Sequence, residues 1–523
     1  MLLTNKMAGL LVTAGVVAGC TVTPAPIPQD DRTRAAQTDQ ALIHASQEPI
    51  GTRMRLGEAM ARALKYNLDK RVKLMEQALS QRNFDLVKMD MLPVLAASAG
   101  YLNRDNTNAS TSVSIETGNV SLEPSTSQDR ERKIADLKFA WNALDFGVSY
   151  LRAQQEADRY LIARNERQKV MLRLLQQTRA TFWRAAVMQQ MSDEIDSLLA
   201  RAERSAASLR QVRREKLKMP LGTLQNLRGL LDIVSELEQM QQTVNAANVE
   251  LAVLVNIPPG THVTLDCPDT LPSLPIAPSD MSALELTALA NSMDYSNQLY
   301  NARIDQRETR KELLRLWPGV EFAYTGNYDS NSYLYHQGWG EASIRVSWNI
   351  FGLLSHRDIE SQGEARMQLT DARRMAVNMA VVAQVHLAWQ HYRNTLNRYQ
   401  RAGELNGIDQ DIARLTRQAM SHQAASDIER IQSEARALRS AMNRLLAYAE
   451  AQDAWGAMLF SLNLDPVPED YQQWSVADIS HALDSTYAHW ESGAIPTVQV
   501  IAQNMPAVGT VETNKKTPLF RKR

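Results

Sequence analysis

Residue patterns that support catalysis or metal binding are scarce in this chain of 523 residues. Its nine histidines are scattered, and no two stand at a spacing that would bind one metal ion. No glycine-rich phosphate loop follows a strand-like segment, and no Gly-x-Ser-x-Gly nucleophile turn occurs. The sequence therefore predicts a protein that is not an enzyme and that carries neither a metal nor another cofactor.

Charged residues with an informative spacing lie in segments of alternating polarity. In EASIRVSWNIFG (341–352), apolar residues from Ala342 to Ile350 alternate with polar ones. The same pattern occurs in IADLKFAWN (134–142) and VEFAYTGNY (320–328), and a weaker, Ala-rich version lies near 94–104. Period two predicts β-strands with one polar and one apolar face. The charged members are Asp136, Lys138, Glu321, Glu341 and Arg345.

These strands have the length of transmembrane β-strands, about 9–11 residues. Their apolar faces carry Trp and Tyr, as membrane interfaces do, which makes Trp141 and Trp348 candidate interface anchors. Packing where each strand meets its helix is the alternative. Four strands cannot close a barrel, so a sheet in lipid requires several copies. Three copies give twelve strands, and the five charged residues would then line a watery lumen.

The N-terminus has the form of a bacterial lipoprotein signal. MLLTNKMAGLLVTAGVVAGC has one cation, Lys6, and an apolar run too short for a spanning helix. Small residues before Cys20 resemble a lipobox, which implies removal of residues 1–19 and lipid on Cys20. An ordinary signal peptide with a chance cysteine is the alternative. Thr21 rather than Asp follows Cys20, which favours an outer-membrane address.

Two halves of the chain share one order of elements: helix, strand, polar loop, strand, long helix, turn, long helix. The distance from Trp141 to Asn256 is 115 positions, as is that from Trp348 to Asn463. Prolines crowd the segment between the halves. The predicted divisions are a signal peptide (1–19), an N-terminal linker (20–54), a first repeat (55–260), a Pro-rich linker (261–281), a second repeat (282–465) and a C-terminal extension (466–523).

The ordered set of these features resembles the TolC family of outer-membrane channel proteins over nearly the whole mature chain. LGEAMARALKYN before the first strand, Pro93 at its start, and LVNIPPGTHVTL after the first long helix pair carry the likeness. The resemblance implies a mainly α-helical chain whose long antiparallel hairpins form an α-barrel across the periplasm. Four strands per chain would complete a 12-stranded barrel in a homotrimer. A periplasmic adaptor (membrane fusion) protein and an inner-membrane transporter are the implied partners.

The resemblance also places two periplasmic tips, at 212–229 and 416–432. Asp427 stands where the family has a pore-gate aspartate. Arg430 stands where the family can carry a second aspartate, and Thr223 occupies the acidic position of the first tip. These departures change the charge expected at the gate.

Each tip residue also has a simpler interpretation. Asp427 could be the N-cap of the helix that follows, and Ser426 is equally suited to that role. Glu429 and Arg430 could be solvated residues of a helix face rather than lumen residues.

The resemblance and the residues together predict an outer-membrane exit duct for efflux or type I secretion, with substrate driven from the inner membrane. The alternative is a periplasmic coiled-coil lipoprotein that spaces the envelope without conducting. Lys and Arg number 57 against 58 Asp and Glu, so nothing indicates nucleic acid.

Overall fold

The computed structural model describes residues 24–45, 47–121, 123–215, 221–261, 263–268, 270–421, 426–467 and 471–498. Cys20 and the predicted signal peptide lie outside these ranges, as do the innermost residues of both predicted tips. No helix in the described part is long and apolar enough to cross a bilayer.

Long helices and short strands alternate along the chain. The helices are α1 Gln29–Ile43, α2 Leu56–Tyr66, α3 Leu68–Met89, α4 Ala143–Glu215, α5 Leu221–Leu254, α6 Met281–Asn291, α7 Met293–Leu314, α8 His356–Ser421, α9 Asp427–Ser461 and α10 Val476–Glu491. The strands are β1 Arg53–Met54, β2 Val94–Asn103, β3 Ala109–Ser110, β4 Ser125–Thr126, β5 Glu131–Asn142, β6 Thr264–Leu265, β7 Gly319–Asp329 and β8 Gly338–Ser347. Short 3-10 helices span Ile350–Ser355 and Tyr471–Gln473.

Four strands form one antiparallel sheet in the order β2-β5-β7-β8. The alternating segments therefore do form strands, and the Ala-rich segment is a full strand of ten residues. The predicted strand at 341–352 is wrong at its C-terminal end. β8 stops at Ser347, and Ile350 begins a 3-10 helix whose Gly352 N–H bonds to the Asn349 carbonyl.

The long helices continue the sheet as a strip. Near the sheet, the order of contacting helices is α3-α4-α7-α8, which repeats the strand order. Farther away, α5 and α9 replace α3 and α7, and the order becomes α5-α4-α9-α8. Helix α4 alone has 73 residues, a length of about 110 Å. Apolar side chains such as Ile195, Leu230 and Leu438 fill the core of the lower part.

Each half bends sharply where two of its helices meet. The Asn67 side chain accepts from the Lys70 N–H at the start of α3, and the Ser292 side chain accepts from the Tyr295 N–H at the start of α7. These N-caps satisfy N–H groups that a helix start leaves unpaired, so each bend is a helix boundary rather than a kink.

Helices α2 and α10 and the Pro-rich segment pack against the middle of the strip, and together they are called the collar. Helix α10 packs on α2, and the Glu48 carboxylate accepts from the Val476 N–H and pairs with Lys65 at 2.6 Å. Helix α10 thus braces the middle of the helical part.

The Pro-rich segment lies against α8 and α9 as part of this collar. Carbonyl oxygens at every third residue accept hydrogen bonds from buried or half-buried aromatic side chains. The pairs are Tyr448 to Pro272 (3.1 Å), Tyr392 to Pro275 (2.5 Å) and Trp389 to Pro278 (2.9 Å). A spacing of three residues is the period of an extended polyproline helix.

Candidate functional site

The polar residues of the sheet lie on one face. The register sets Lys138 opposite Thr325 and Thr325 opposite Glu341, and it sets Glu321 opposite Arg345. Residues that are directly opposite in a sheet share a face. All five charged residues predicted from the alternation, Asp136, Lys138, Glu321, Glu341 and Arg345, therefore share one face.

Much of the charge on this face is paired. Lys138 Nζ lies 3.1 Å from Glu321 Oε1, and Arg132 lies 3.0 Å from the carboxylate of Asp329 across the same two strands. The Ser98 hydroxyl donates to Asp136 from β2. The face is thus highly polar, but positive and negative groups alternate along it. A pore lined this way would be wet and only weakly selective by charge.

The opposite face of the sheet is apolar and bare. Leu137, Phe139, Tyr324, Ile344 and Val346 are all exposed there. Gly340 gives room on this face for the Tyr324 ring, because a Cβ at Gly340 would lie 2.6 Å from the Tyr324 hydroxyl. A contiguous apolar surface of this kind marks a contact with lipid or with another apolar body.

Aromatic residues border this apolar face at both ends. Trp141 stacks on Phe322 and contacts Phe146 where the sheet meets the helices, and the Trp348 indole donates to the Leu316 carbonyl at 2.9 Å. Both predicted anchor residues therefore also pack at the strand–helix junction.

The aromatic band includes residues that sequence reasoning missed. Trp317 and Phe351 are exposed at the same end, and Tyr101 and Tyr328 are exposed toward the other end. Trp141 is eight residues from Lys133, the β5 partner of Tyr101. That is about 26 Å along the strand, or about 20 Å in height at a tilt near 40°. The bands are thus separated by nearly the thickness of a barrel's lipid-facing zone, about 25 Å. Trp317 and Phe351 were missed because they lie outside the alternating segments: Trp317 precedes Pro318, and Phe351 directly follows another apolar residue, Ile350.

The second tip is built around a capped helix start. Ser426, not Asp427, is the N-cap of α9: its side chain accepts from the Glu429 N–H, and the Glu429 carboxylate accepts from the Ser426 N–H at 2.8 Å. The Ser426 backbone bond, and then its hydroxyl, hold the pKa of Glu429 below its usual value. Glu429 thus completes a capping box.

Asp427 has partners within its own chain. Its carboxylate pairs with Arg430 at 2.6 Å and accepts from the Ser205 hydroxyl of α4 at 3.3 Å. The structure therefore brings Asp427 and Arg430 together, with Asp427 half-exposed. Thr223 lies half-buried in the first turn of α5 and is not among these partners.

Both edges of the strip carry exposed apolar stripes. On α3 these are Leu68, Val72, Met75, Leu79, Leu86 and Met89, and on α8 they include Leu369, Met379, Leu387, Leu405, Ile412 and Leu415. Each set recurs at helical spacing, so it forms one face of its helix. Near the sheet, helices α3 and α8 stand at opposite edges of the strip, as β2 and β8 stand at opposite edges of the sheet. Farther away, α5 takes the place of α3 at its edge.

A sheet with one polar and one apolar face, continued by a strip of very long helices, defines a TolC-like fold. Solved structures of channels share it. The outer-membrane channel OprN matches with a TM-score of 0.59 at 18% identity, over 78% of this chain and 89% of that chain. The Neisseria gonorrhoeae MtrE outer-membrane channel matches with 0.59 at 13% identity, over 80% and 94%. The Campylobacter jejuni CmeC outer-membrane channel matches with 0.58 at 12% identity, over 89% and 98%.

The likeness is structural. No protein-family model and no curated protein sequence matches the chain. At these identities the solved structures show the fold alone: the chain has a TolC-like fold. The three solved structures named above are outer-membrane channels.

Proposed function

We propose that three copies of this chain form an outer-membrane channel, with the sheet in the bilayer and the helices in the periplasm. The observation that carries this proposal is the shared order of strands and helices. Among the described residues it leaves two long edges unpartnered over the same length: β2 continued by α3 and α5, and β8 continued by α8. If the β8 edge of each copy contacts the β2 edge of the next copy, every edge in the assembly is covered by the same kind of contact.

Closure is a physical requirement once the apolar face lies in lipid. The free N–H and C=O groups of β2 and β8 would each cost several kcal/mol in hydrocarbon. β2 and β8 run in opposite directions, because each of the three pairs in the sheet is antiparallel. β8 of one copy can therefore extend the antiparallel order onto β2 of the next. Three copies give twelve strands, an even number within the usual range.

The polar face then lines the pore. Closing the sheet with the aromatic-bordered apolar face outward turns Asp136, Lys138, Glu321, Glu341 and Arg345 inward. Near the sheet, the α3 stripe of one copy meets the part of the α8 stripe that is at the same height in the next copy. Burying apolar surface there stabilises the contact by about 25 cal/mol per Å².

Lipid on Cys20 fits the position of the N-terminal segment. Asn256, beside the bend at Asn67, holds this segment: its carbonyl accepts from Gln47 at 2.6 Å, and its amide donates to the Ile43 carbonyl. Helix α3 covers the distance from that bend to the sheet, about 33 Å for its 22 residues. Helix α1 and the residues before it can reach about 50 Å. This N-terminal segment, called the tether below, is therefore long enough for a lipid at Cys20 to enter the membrane.

The partners follow from the location. The tips at the far end of the helices would meet a periplasmic adaptor and an inner-membrane transporter, which would supply the energy for efflux or type I secretion. Asp427 and Arg430 would constrict the passage there.

The proposal is tested with the purified full-length protein. We expect trimers that withstand detergent until heated, and ion conductance in planar bilayers. Stable trimers are the result that a closed twelve-stranded barrel requires. Monomers without conductance, even with the tips mutated, would instead support the periplasmic scaffold.

The tip is tested separately. We expect Asp427→Ala to increase conductance, because it removes the acceptor that fixes Arg430 and Ser205 at the constriction. The matched control is Asp411→Ala, which breaks the equally spaced, exposed pair with Arg414 on α8. Equal traces for Asp427→Ala and the parent would remove Asp427 from the gate.

A further inference from the structure

The loop between β2 and β5 contains a folded hairpin at the sheet end that lies away from the helices. In this rim hairpin (residues 112–121), Val113 and Val120 form a bridge, and the Ser114 N–H donates to the Asn119 carbonyl at 2.9 Å. Gly118 takes a left-handed conformation, φ 67°, to close the turn. The hairpin is a defined structure within a loop whose composition is mainly Ser, Thr and Asn.

One set of residues on the rim hairpin is apolar and uncovered. Val113 and Val120 are more than half exposed, and Ile115 at the turn is fully exposed. The loop between β7 and β8 presents a second uncovered set, Tyr333 and Tyr335, of which Tyr335 is 95% exposed. These are called the rim tyrosines below. Neither set covers the other within one chain, although both lie at the same end of the sheet.

Among the described residues, hydrogen bonds join the two loops near their bases. The Asn331 side chain donates to the Ser127 carbonyl at 3.0 Å, and the Ser332 hydroxyl donates to Asp129 at 2.9 Å. These contacts lie on the limb of the first loop that leads into β5. The rim hairpin lies beyond the β3–β4 pair, at the middle of the first loop.

The edges of the sheet determine what each set would face in an assembly. The first loop leaves the outer end of β2, where Asn103 pairs with Glu131, and the second loop enters the outer end of β8 at Gly338. β2 and β8 are the two free edges. When β8 of one copy joins β2 of the next, the second loop of one copy lies beside the first loop of its neighbour.

We infer that the rim hairpin of each copy packs against the rim tyrosines of the neighbouring copy, which forms an apolar clasp at each of three seams. The inference rests on the proposed trimer and adds a contact outside the membrane that the strand pairing does not require. The occupant of each apolar set is a second copy of this chain. Aromatic rings and branched side chains bury large areas at such seams.

A disulfide test separates this contact from the trimer itself. In a Cys267→Ser background, Ile115→Cys is combined with Tyr335→Cys in the full chain, and outer membranes are oxidised with copper phenanthroline. We expect covalent dimers and trimers on a non-reducing denaturing gel. The control pairs Tyr335→Cys with Ile276→Cys, an equally exposed apolar position in the Pro-rich segment near the collar. It should remain monomeric after denaturation.

The outcomes are distinct. Native trimers whose double variant gives only monomers after oxidation would overturn the clasp and leave the channel intact. Ladders from Ile115→Cys alone would also overturn it, because the hairpins would then meet one another. Absence of native trimers would count against the channel itself. Ile115→Asp supplies a second readout: we expect the trimer to dissociate at a temperature a few degrees lower, with no change for Ile276→Asp.

Discussion

The two halves of the molecule share a frame but differ in how they are fastened to the collar. Among the described residues, only Asn256 and Asn463 combine a side chain with a positive φ, 57° and 52°, and they occupy the same place in the two halves. Asn256 holds the N-terminal segment, whereas the Asn463 amide bonds only within its own turn, to the Ser461 carbonyl. The repeated frame builds the strip, and the differences attach the N- and C-terminal segments.

Two matching residues in the middle of α4 and α8 show the same contrast. Arg179 is buried and bonds to both Gln452 and Glu491 at 2.5 Å, while the matching position in the second half is His386, half-exposed and 2.7 Å from Glu285. Arg179 thus fixes the C-terminal helix to the strip. His386 pairs at the surface, where water competes for both partners.

The largest effect on stability is expected when the buried residue of these two matching positions, Arg179, is replaced. Arg179→Met leaves the buried side-chain oxygen of Gln452 without its donor. It should lower the free energy of unfolding by about 2–3 kcal/mol. His386→Met should cost less than about 1 kcal/mol. Heat-unfolding midpoints in detergent compare the two. Equal losses would show that the collar does not depend on Arg179.

A second comparison concerns the helices α2 and α6. A Cβ at Gly57 would lie 2.6 Å from Asp484 Cγ on α10, whereas the matching Ser282 is exposed. Gly57→Val should therefore separate α10 from α2 and cost about 1–3 kcal/mol. Ser282→Val should stay within about 0.5 kcal/mol. Hydrogen exchange of α10 measures the separation, and unchanged protection in Gly57→Val would contradict the close contact.

The two left-handed asparagines provide a smaller effect. Glycine keeps the backbone conformation at both positions, so Asn256→Gly loses mainly the bond to Ile43, about 1 kcal/mol. Proteolytic cleavage between α1 and the collar should rise about fivefold. Asn463→Gly should leave cleavage unchanged. The same cleavage rate in both variants would mean that Asn256 does not retain the tether.

The smallest effect concerns pH. Burial raises the pKa of Asp484, with Arg55 and His481 acting against that shift. Because its folded pKa exceeds its unfolded value, folding favours the protonated carboxyl, and this contribution is lost as pH rises through the folded pKa. Asp484→Asn should be more stable than the parent at neutral pH, with the difference vanishing in acid. Thermal unfolding midpoints of both proteins, measured from acidic to neutral pH, test this prediction. A stability difference that does not change with pH would contradict it.

Much of the fold could be predicted from the periodicity of apolar residues and from the positions of prolines in the sequence. Alternation identifies β5, β7 and β8 because each strand has one polar and one apolar face. The long helix that the sequence predicts after the first two strands is α4, and no proline interrupts Ser125–Met219. The Ala-rich β2 gives a weak signal because its pairing with β5, rather than its own residues, defines it as a strand.

The candidate site was less predictable because its roles depend on tertiary neighbours. The charged face could be read from alternation alone, since register preserves faces. At the tip, Asp427 pairs with Ser205, which is 222 positions away and on another helix. No local pattern encodes that contact. The fold of the rim hairpin inside a polar loop was likewise missed, because its two valines alone give no strand period.

The most direct test of the proposed closed trimer is a disulfide crosslink between the two edges of the strip in neighbouring copies. Leu79 on α3 matches Ile304 on α7, next to Asp305, which accepts from Thr370 of α8. Leu79 and Leu369 therefore lie at one height on opposite edges. In a Cys267→Ser background, Leu79→Cys with Leu369→Cys should give covalent dimers and trimers on oxidation, with nothing larger. Persistent monomers, or a ladder extending beyond trimers, would contradict a closed assembly of three chains.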